Sequence, residues 1–473
     1  MKALQNIKRI YFIGIGGIGM SAIARYFNEK ATVVSGYDKT RTALCEVLEQ
    51  EGMMIHYTDD IALLDKDADL VVYTPAIPKD HTELNWYRDN GYEVVKRSDV
   101  LQIISEGTFN ICIAGTHGKT TTTGMVGHLL KATGYGCNAF IGGIAVNYNS
   151  NFWSSEKNVA VIEADEFDRS FLKLSPDIAI ITAMDPDHLD IYGDTSTFQE
   201  AFKLFAGRVK PSGILIRHQK LKQLNEIEIK RQLTYELENE EAICYNNSCG
   251  HDHDDHDAPD VYAENIRFEH GAYIFDATIS HVTYENLELN IGGLHNIENM
   301  LSAITVATML GIDKEKISEA VAGFRGIKRR FEYIFKKVED ETLKQIYIDD
   351  YAHHPEELRA LLKSAKHLFP GMKCKIIFQP HLFTRTRDFA PGFAEVLNMA
   401  DEVVLLPIYP ARELPIEGVN SEMLLKGIGD KAKVLTKEEA LKDIKATDKL
   451  IITAGAGDID TLVGKIKEIL SKG

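Results

Sequence analysis

Short apolar runs alternating with longer amphipathic stretches set the pattern of the first hundred residues. Residues 9–13, 32–35 and 70–73 predict strands, and the stretches 19–28 and 42–51 between them predict helices. The pattern then restarts. Residues 109–114, 159–162 and 178–181 are apolar runs of the kind buried on both faces of a parallel sheet, while 121–130 and 297–310 predict helices. A third set follows, with strands at 345–348, 374–378, 402–406 and 449–452 and helices such as 355–368 between them. This alternation predicts an α/β protein of parallel sheets with crossover helices. A chain of 473 residues is too long for one core, and the restarts divide it into domains at 1–104, 105–325 and 326–473.

Three turns at predicted strand ends carry candidate chemistry. The first, Gly14-Ile15-Gly16-Gly17-Ile18-Gly19, joins a strand to a helix, with Asp38 following 19 residues after Gly19. Glycines in this turn let a diphosphate approach a helix N-terminus around Gly16, Gly17, Ile18 and Gly19, and Asp38 suits a ribose hydroxyl or a base N–H. NAD fits this fingerprint, and so does any nucleoside diphosphate, a UDP-sugar included. The second turn, Gly115-Thr116-His117-Gly118-Lys119-Thr120-Thr121, is a phosphate loop shorter than the standard one, which would carry glycine where Ile113 stands. Its N–H groups can cradle phosphate oxygens of ATP, Lys119 can reach the terminal phosphates, and the Thr120 hydroxyl can hold Mg²⁺.

The third turn, Glu163-Ala164-Asp165-Glu166-Phe167-Asp168, leaves the C-terminal end of the strand 159–162. Carboxylates there, beside a phosphate loop, are placed to hold Mg²⁺, Glu163 first; a solvated acidic turn is the competing reading. Asp185-Pro186-Asp187-His188-Leu189-Asp190 brings His188, an unusual Mg²⁺ ligand, to the same edge. Further on, Gly292-Gly293-Leu294-His295-Asn296-Ile297-Glu298-Asn299 opens a helix whose amides suit an adenine edge, with helix capping by Asn296 as the alternative. In Arg329-Arg330-Phe331-Glu332 an arginine can swing onto a γ-phosphate, although a surface ion pair is the more usual fate. The last third adds Asp349-Asp350-Tyr351-Ala352-His353-His354-Pro355, the run from Gln379 to Asp388 with Arg385, and Gly455-Ala456-Gly457-Asp458-Ile459. Histidines and arginines at those strand ends form a rim suited to binding a carboxylate and handling an amine.

Composition narrows the partners. Hydrophobic residues at 44% and charged residues at 26% are ordinary for a globular enzyme, and the net charge of -17 argues against a nucleic-acid or anionic-membrane surface. The chain runs from Met1 straight into a strand without a signal-type apolar region or a bilayer-spanning run, which predicts a cytoplasmic protein. Cys45, Cys112, Cys137, Cys244, Cys249 and Cys374 are scattered and read as reduced thiols. The run His251-Asp252-His253-Asp254-Asp255-His256-Asp257 reads as a solvated acidic loop, with metal ligation as the sharper alternative.

Taken in order, the stretches 14–21, 115–123, 163–166, 187–190, 295–299, 329–332, 349–355, 379–388 and 455–459 resemble the Mur ligase family over essentially the whole chain. The resemblance implies a Rossmann-like N-terminal domain for a UDP-sugar, a central P-loop ATPase-like parallel-sheet domain for ATP, and a C-terminal Rossmann-like α/β domain for an amino acid. It implies an enzyme of peptidoglycan synthesis, a monomer or weak homodimer. In that chemistry the lactyl carboxylate of UDP-N-acetylmuramate attacks the γ-phosphate of ATP, and the amine of L-alanine attacks the resulting acyl phosphate. A family member that attaches a preformed tripeptide to the same sugar nucleotide is the close alternative. Carried over by motif, Lys119 would stabilise the transferring phosphoryl group, Thr120 and Glu163 would hold one Mg²⁺, and His188 would help hold a second. Asn296 and Asn299 would face adenine, Arg330 and Asp350 the nucleotide, and His353 and Arg385 the amino acid.

The chain departs from the family pattern at Thr74-Pro75, where two serines are usual, at Ala183, where asparagine is usual, and at Leu382, where many members carry arginine. Two readings from other classes compete: an NAD-dependent oxidoreductase with an appended nucleotide domain, and a non-catalytic nucleotide-binding regulator. The lysine-bearing second loop opposes the first. The joint presence of Lys119, Glu163 and His188 opposes the second.

Overall fold

The computed structural model describes residues 6–185, 192, 194–238, 258–269, 271–340, 342–411 and 413–472, the side chain of Asp168 apart. His188 and the run 251–257 lie outside the described residues, as do Cys244 and Cys249. Among the described residues the alternating pattern produces three sheets. The first holds five parallel strands in the order Met54–His56, Val33–Tyr37, Arg9–Ile13, Leu70–Tyr73, Val94–Lys96. This order reverses between Arg9–Ile13 and Leu70–Tyr73, and crevices at such reversals are where open α/β sheets take ligands.

The second sheet has ten strands. At its centre Phe109–Ala114 lies between Ile178–Ile181 and Val159–Glu163, parallel to both. Ile111, Cys112, Ile113, Val161, Ile162 and Ile180 are fully buried, which is why these runs carry no polar alternation. The register sets Ala114 beside Ile181 and Ile113 beside Glu163, so the loop after Ala114 opens between Thr182 and the acidic turn. Towards one edge the order continues through Asn138–Ala145 to Ser150–Trp153. Towards the other it runs through Ile214–His218, Gln232–Leu237, Val261–Glu269 and Ala272–Ile279 to Val282–Leu289. These seven outer strands are additions to the three read from the apolar pattern.

The third sheet has the order Glu332–Glu339, Thr342–Asp350, Leu450–Ala454, Cys374–Phe378, Glu402–Leu405, Ala432–Val434. Its first pair is antiparallel, a departure from the expected all-parallel sheet. The chain packs as two compact units: Met1–Glu264 with Ala277–Glu285 and Glu298–Val321, and the remainder from Asn265 onward. Cys45, Cys112, Cys137 and Cys374 are buried and free. Among the described residues no helix is long and apolar enough to cross a membrane.

Candidate active site

In the first unit the second glycine turn is wired to its neighbours by side chains that follow the flanking strands. Gly118 is left-handed at φ +81° and caps the helix Lys119–Ala132, which starts two residues earlier than the apolar pattern predicts. Lys119 and Thr120 therefore sit in the first helical turn, where the N–H groups and the helix dipole favour anions. A Cβ on Gly118 would lie 2.8 Å from Asn299 Oδ1, which places Asn299 against the loop. The Thr182 hydroxyl donates to the His117 carbonyl, and the Thr116 amide donates to the Ala183 carbonyl at 3.1 Å, so Ala183 serves here through its backbone. His117 is exposed, 4.0 Å from Asp185, and Thr121 is buried.

Lys119 Nζ donates to Glu166 Oε1 at 2.7 Å and to the Gly115 carbonyl at 2.5 Å. Burial raises the Glu166 carboxyl pKa despite this ammonium, and among the described residues Glu166 Oε2 has no hydrogen-bond partner. The Thr120 hydroxyl donates to Glu163 Oε1 at 3.0 Å, and the Gly142 amide to Glu163 Oε2 at 2.7 Å. A hydroxyl and a carboxylate converging this closely form an all-oxygen donor set that fits Mg²⁺. Among the described residues no group of three or more His, Cys, Asp or Glu is arranged to hold a metal.

The first glycine turn is tied down by its own sheet. The Gly14 and Ile15 amides donate to the Tyr37 carbonyl at 2.7 and 3.1 Å. Asp38, expected to serve a ribose or a base, accepts from the Gly16 amide at 2.8 Å and from the Thr40 amide at 3.1 Å, so part of its work is to shape the turn. The helix begins at Ile18, with Gly17 as its cap. A Cβ on Gly19 would fall on Arg97 Nη1 and could be added only by moving that side chain. Arg97 in turn pairs with Asp165 at 3.1 Å. Neither Arg97 nor Glu166 stands out by local spacing, since their partners lie 68 and 47 positions away.

In the second unit the rim of the third sheet assembles around two histidines. The His353 ring Nδ1 lies 2.9 Å from the Tyr351 carbonyl and must donate to it, which leaves the lone pair on Nε2. Burial lowers the His353 pKa, and Arg385 adds to this, so the ring is neutral at neutral pH. His381 is held down in the same way; it stands edge-on to His353 at 5.8 Å and stacks on Tyr409. Arg385 Nη1 lies 3.5 Å from His381 Nδ1 and gives the cluster a fixed positive charge. Leu382 holds φ +70°, its amide donating to the Tyr409 carbonyl at 3.0 Å.

The two arginines of Arg329-Arg330-Phe331-Glu332 differ in their surroundings. Arg329 turns inward, its Nε 3.4 Å from Asp349 and its guanidinium on the Gly455 carbonyl, whereas Arg330 is exposed. Burial pushes the Asp349 carboxyl up to about 7 despite Arg329. Asp350 accepts from the Phe331 and Ala352 amides, each at 2.7 Å, and desolvation still pushes it up to about 6. Asn296 is inside the helix His295–Met309 and not its cap; its side chain donates to the Gly292 carbonyl at 2.5 Å.

Three family models match consecutive stretches: the Mur ligase family catalytic domain over residues 9–108, the Mur ligase middle domain over 113–307, and the Mur ligase glutamate ligase domain over 329–465. The chain is 45% identical to a UDP-N-acetylmuramate–L-alanine ligase of Flavobacterium johnsoniae, over 99% of both chains. It is 44% identical to a ligase of the same name from Cytophaga hutchinsonii, over 98% of this chain and 97% of that one. Among solved structures it is similar to a UDP-N-acetylmuramate–alanine ligase of Thermotoga maritima, at 28% identity and a TM-score of 0.79 over 99% of this chain and 100% of that one. A murein peptide ligase of Psychrobacter arcticus shares the fold, at 22% identity and a TM-score of 0.65 over 98% and 99% of the two chains. With identity of this order sustained from end to end and all three family models in sequence, the chain belongs to the Mur ligase family.

Proposed function

We propose that this chain is an ATP-dependent ligase that joins L-alanine to the lactyl carboxylate of UDP-N-acetylmuramate, releasing ADP and phosphate, in the cytoplasmic synthesis of peptidoglycan precursors. The observation that carries it is a single cavity in the first unit, lined both by Gly19 of the first glycine turn and by Glu163 of the acidic turn. A diphosphate-binding turn and a phosphoryl-transfer site opening onto one space is what activating a nucleotide-linked carboxylate requires. An oxidoreductase has no use for the second loop, and a regulator has no use for the shared cavity.

In this reading the carboxylate oxygen attacks the γ-phosphorus as ADP leaves. The amine nitrogen then attacks the acyl carbon, and the tetrahedral intermediate expels phosphate. Lys119 turns from Glu166 to the phosphoryl oxygens as their charge develops, and the loop amides from Gly115 to Thr121 hold the phosphates. Thr120 and Glu163 would hold Mg²⁺, which supplies charge neutralisation between the phosphates, and His188 is assigned to a second ion by motif alone. Asn296 and Asn299 serve adenine, and Arg330 and Asp350 the nucleotide. Arg385 takes the carboxylate of alanine, and the neutral His353 receives a proton from its ammonium. Asp38 and the turn at Gly16, Gly17, Ile18 and Gly19 serve the UDP portion. The domains assigned to the three ligands are 1–104, 105–325 and 326–473, in a monomer or weak homodimer.

Phosphate release with UDP-N-acetylmuramate, ATP and Mg²⁺, scanned across amino acids and the tripeptide, tests the proposal. Turnover with L-alanine is the expected result. Release with the tripeptide alone makes the chain the recycling enzyme, and no release with any acceptor overturns the ligase reading.

A further inference from the structure

The substrate proposed above is anionic at both ends, a diphosphate and a carboxylate, and the cavity that would receive it is lined by Glu163 and Asp165. Its volume is about 120 Å³. Among the described residues lining it, Arg97 is the one cation. Three features of Arg97 have no explanation in the folding of its own segment. It is the first residue of the helix Arg97–Glu106, where a positive charge opposes the helix dipole. The capping of that helix is done by Asp99, which accepts from the Lys96 amide at 2.9 Å. Its guanidinium occupies the space that a Cβ at position 19 would take, so it packs directly against the last glycine of the first turn. Its ion pair with Asp165 is part-exposed, at 25% and 37%, and such pairs add little stability.

We infer that Arg97 receives the lactyl carboxylate of the substrate, with Asp165 as the internal carboxylate it exchanges for that group. A planar guanidinium matches a carboxylate through two parallel N–H donors, whichever molecule supplies it. From the wall shared with Glu163, the captured carboxylate is aimed at the phosphoryl end of the site. Arg97 is thus the residue that distinguishes a muramyl from a simple N-acetylglucosaminyl nucleotide.

The inference rests on the ligase reading, and calorimetry separates the two. The full chain is titrated with UDP-N-acetylmuramate and with UDP-N-acetylglucosamine, which shares the uridine diphosphate and lacks the lactyl acid. Arg97→Gln is expected to weaken the first at least about tenfold, a loss of ~1.4 kcal/mol or more, and the second less than about twofold. Equal weakening of both would assign the guanidinium to the diphosphate, and no change in either would make it structural; each overturns the inference. Asp165→Asn, which keeps the shape and removes the competing charge, is expected to tighten UDP-N-acetylmuramate alone, so unchanged or weaker binding also counts against it. A wild-type chain that binds neither nucleotide sinks the ligase reading instead.

Discussion

Glu83 is fully buried in the first unit, and its surroundings decide its protonation. The Tyr11 hydroxyl lies 2.6 Å from Glu83 Oε2 and 2.7 Å from His56 Nε2, and it has one hydrogen to give. His56 Nδ1 faces the Thr58 carbonyl at 2.9 Å and must donate there, so Nε2 is an acceptor. A protonated Glu83 satisfies the whole chain: it donates to Tyr11, Tyr11 to His56, and His56 to the backbone. Desolvation accordingly pushes Glu83 up to about 7. In an unfolded chain the group titrates near 4.3. Between these values the folded state holds a proton that the unfolded state has released, so stability falls as pH rises through this window and levels off above it. The contribution is on the order of 3 kcal/mol. Urea melts at pH 5, 6, 7 and 8 check this: Glu83→Gln should flatten the loss between pH 5 and 7 relative to wild type. Parallel slopes in the two proteins would rule out Glu83 as the titrating group.

At the scale of elements, the phosphate loop depends on one left-handed residue ahead of one helix. Gly118→Ala puts a Cβ on a φ of +81° and against Asn299 Oδ1. The conformational cost alone is about 1–2 kcal/mol, and displacing Asn299 should weaken nucleotide binding if it serves adenine as proposed. Thermal melts and titration with a non-hydrolysable ATP analogue are expected to show both losses; intact nucleotide affinity would mean the loop tolerates a different geometry. This element was legible because its signals are local: a run buried on both faces, two glycines, then lysine and threonine on a helix start. The strands at the edge of the same sheet were not. Val282–Leu289 buries only Tyr284, Leu287 and Leu289, with exposed positions between them, and carries no continuous apolar run. The antiparallel strand Glu332–Glu339 has no fully buried position, and its short apolar run Tyr333-Ile334-Phe335 is cut off by Lys336 and Lys337. Arg97, Thr182 and the pairing of Glu166 with Lys119 escaped for another reason: these roles exist only once distant strand ends have been brought side by side.

Across the whole molecule the same device recurs in each sheet. Gly14 follows the strand Arg9–Ile13, Gly115 follows Phe109–Ala114 and Gly455 follows Leu450–Ala454, all three with positive φ at the carboxyl end of a parallel strand. The proposed division of ligands between the first two of these turns predicts a double dissociation. Lys119→Ala removes the charge proposed to stabilise the transferring phosphoryl group and leaves Glu166 as a buried acid that can protonate, so the fold survives. It is expected to lower turnover by at least about 10²-fold while UDP-N-acetylmuramate affinity stays within about twofold, as for independent sites. Gly19→Ala should do the reverse, evicting Arg97 from the first turn and costing sugar-nucleotide affinity, with binding of an ATP analogue unchanged. Calorimetry of the two variants against both ligands reads all four values. If either variant loses both ligands together, the two glycine turns form one coupled site, and the assignment of substrate to one and energy source to the other is wrong.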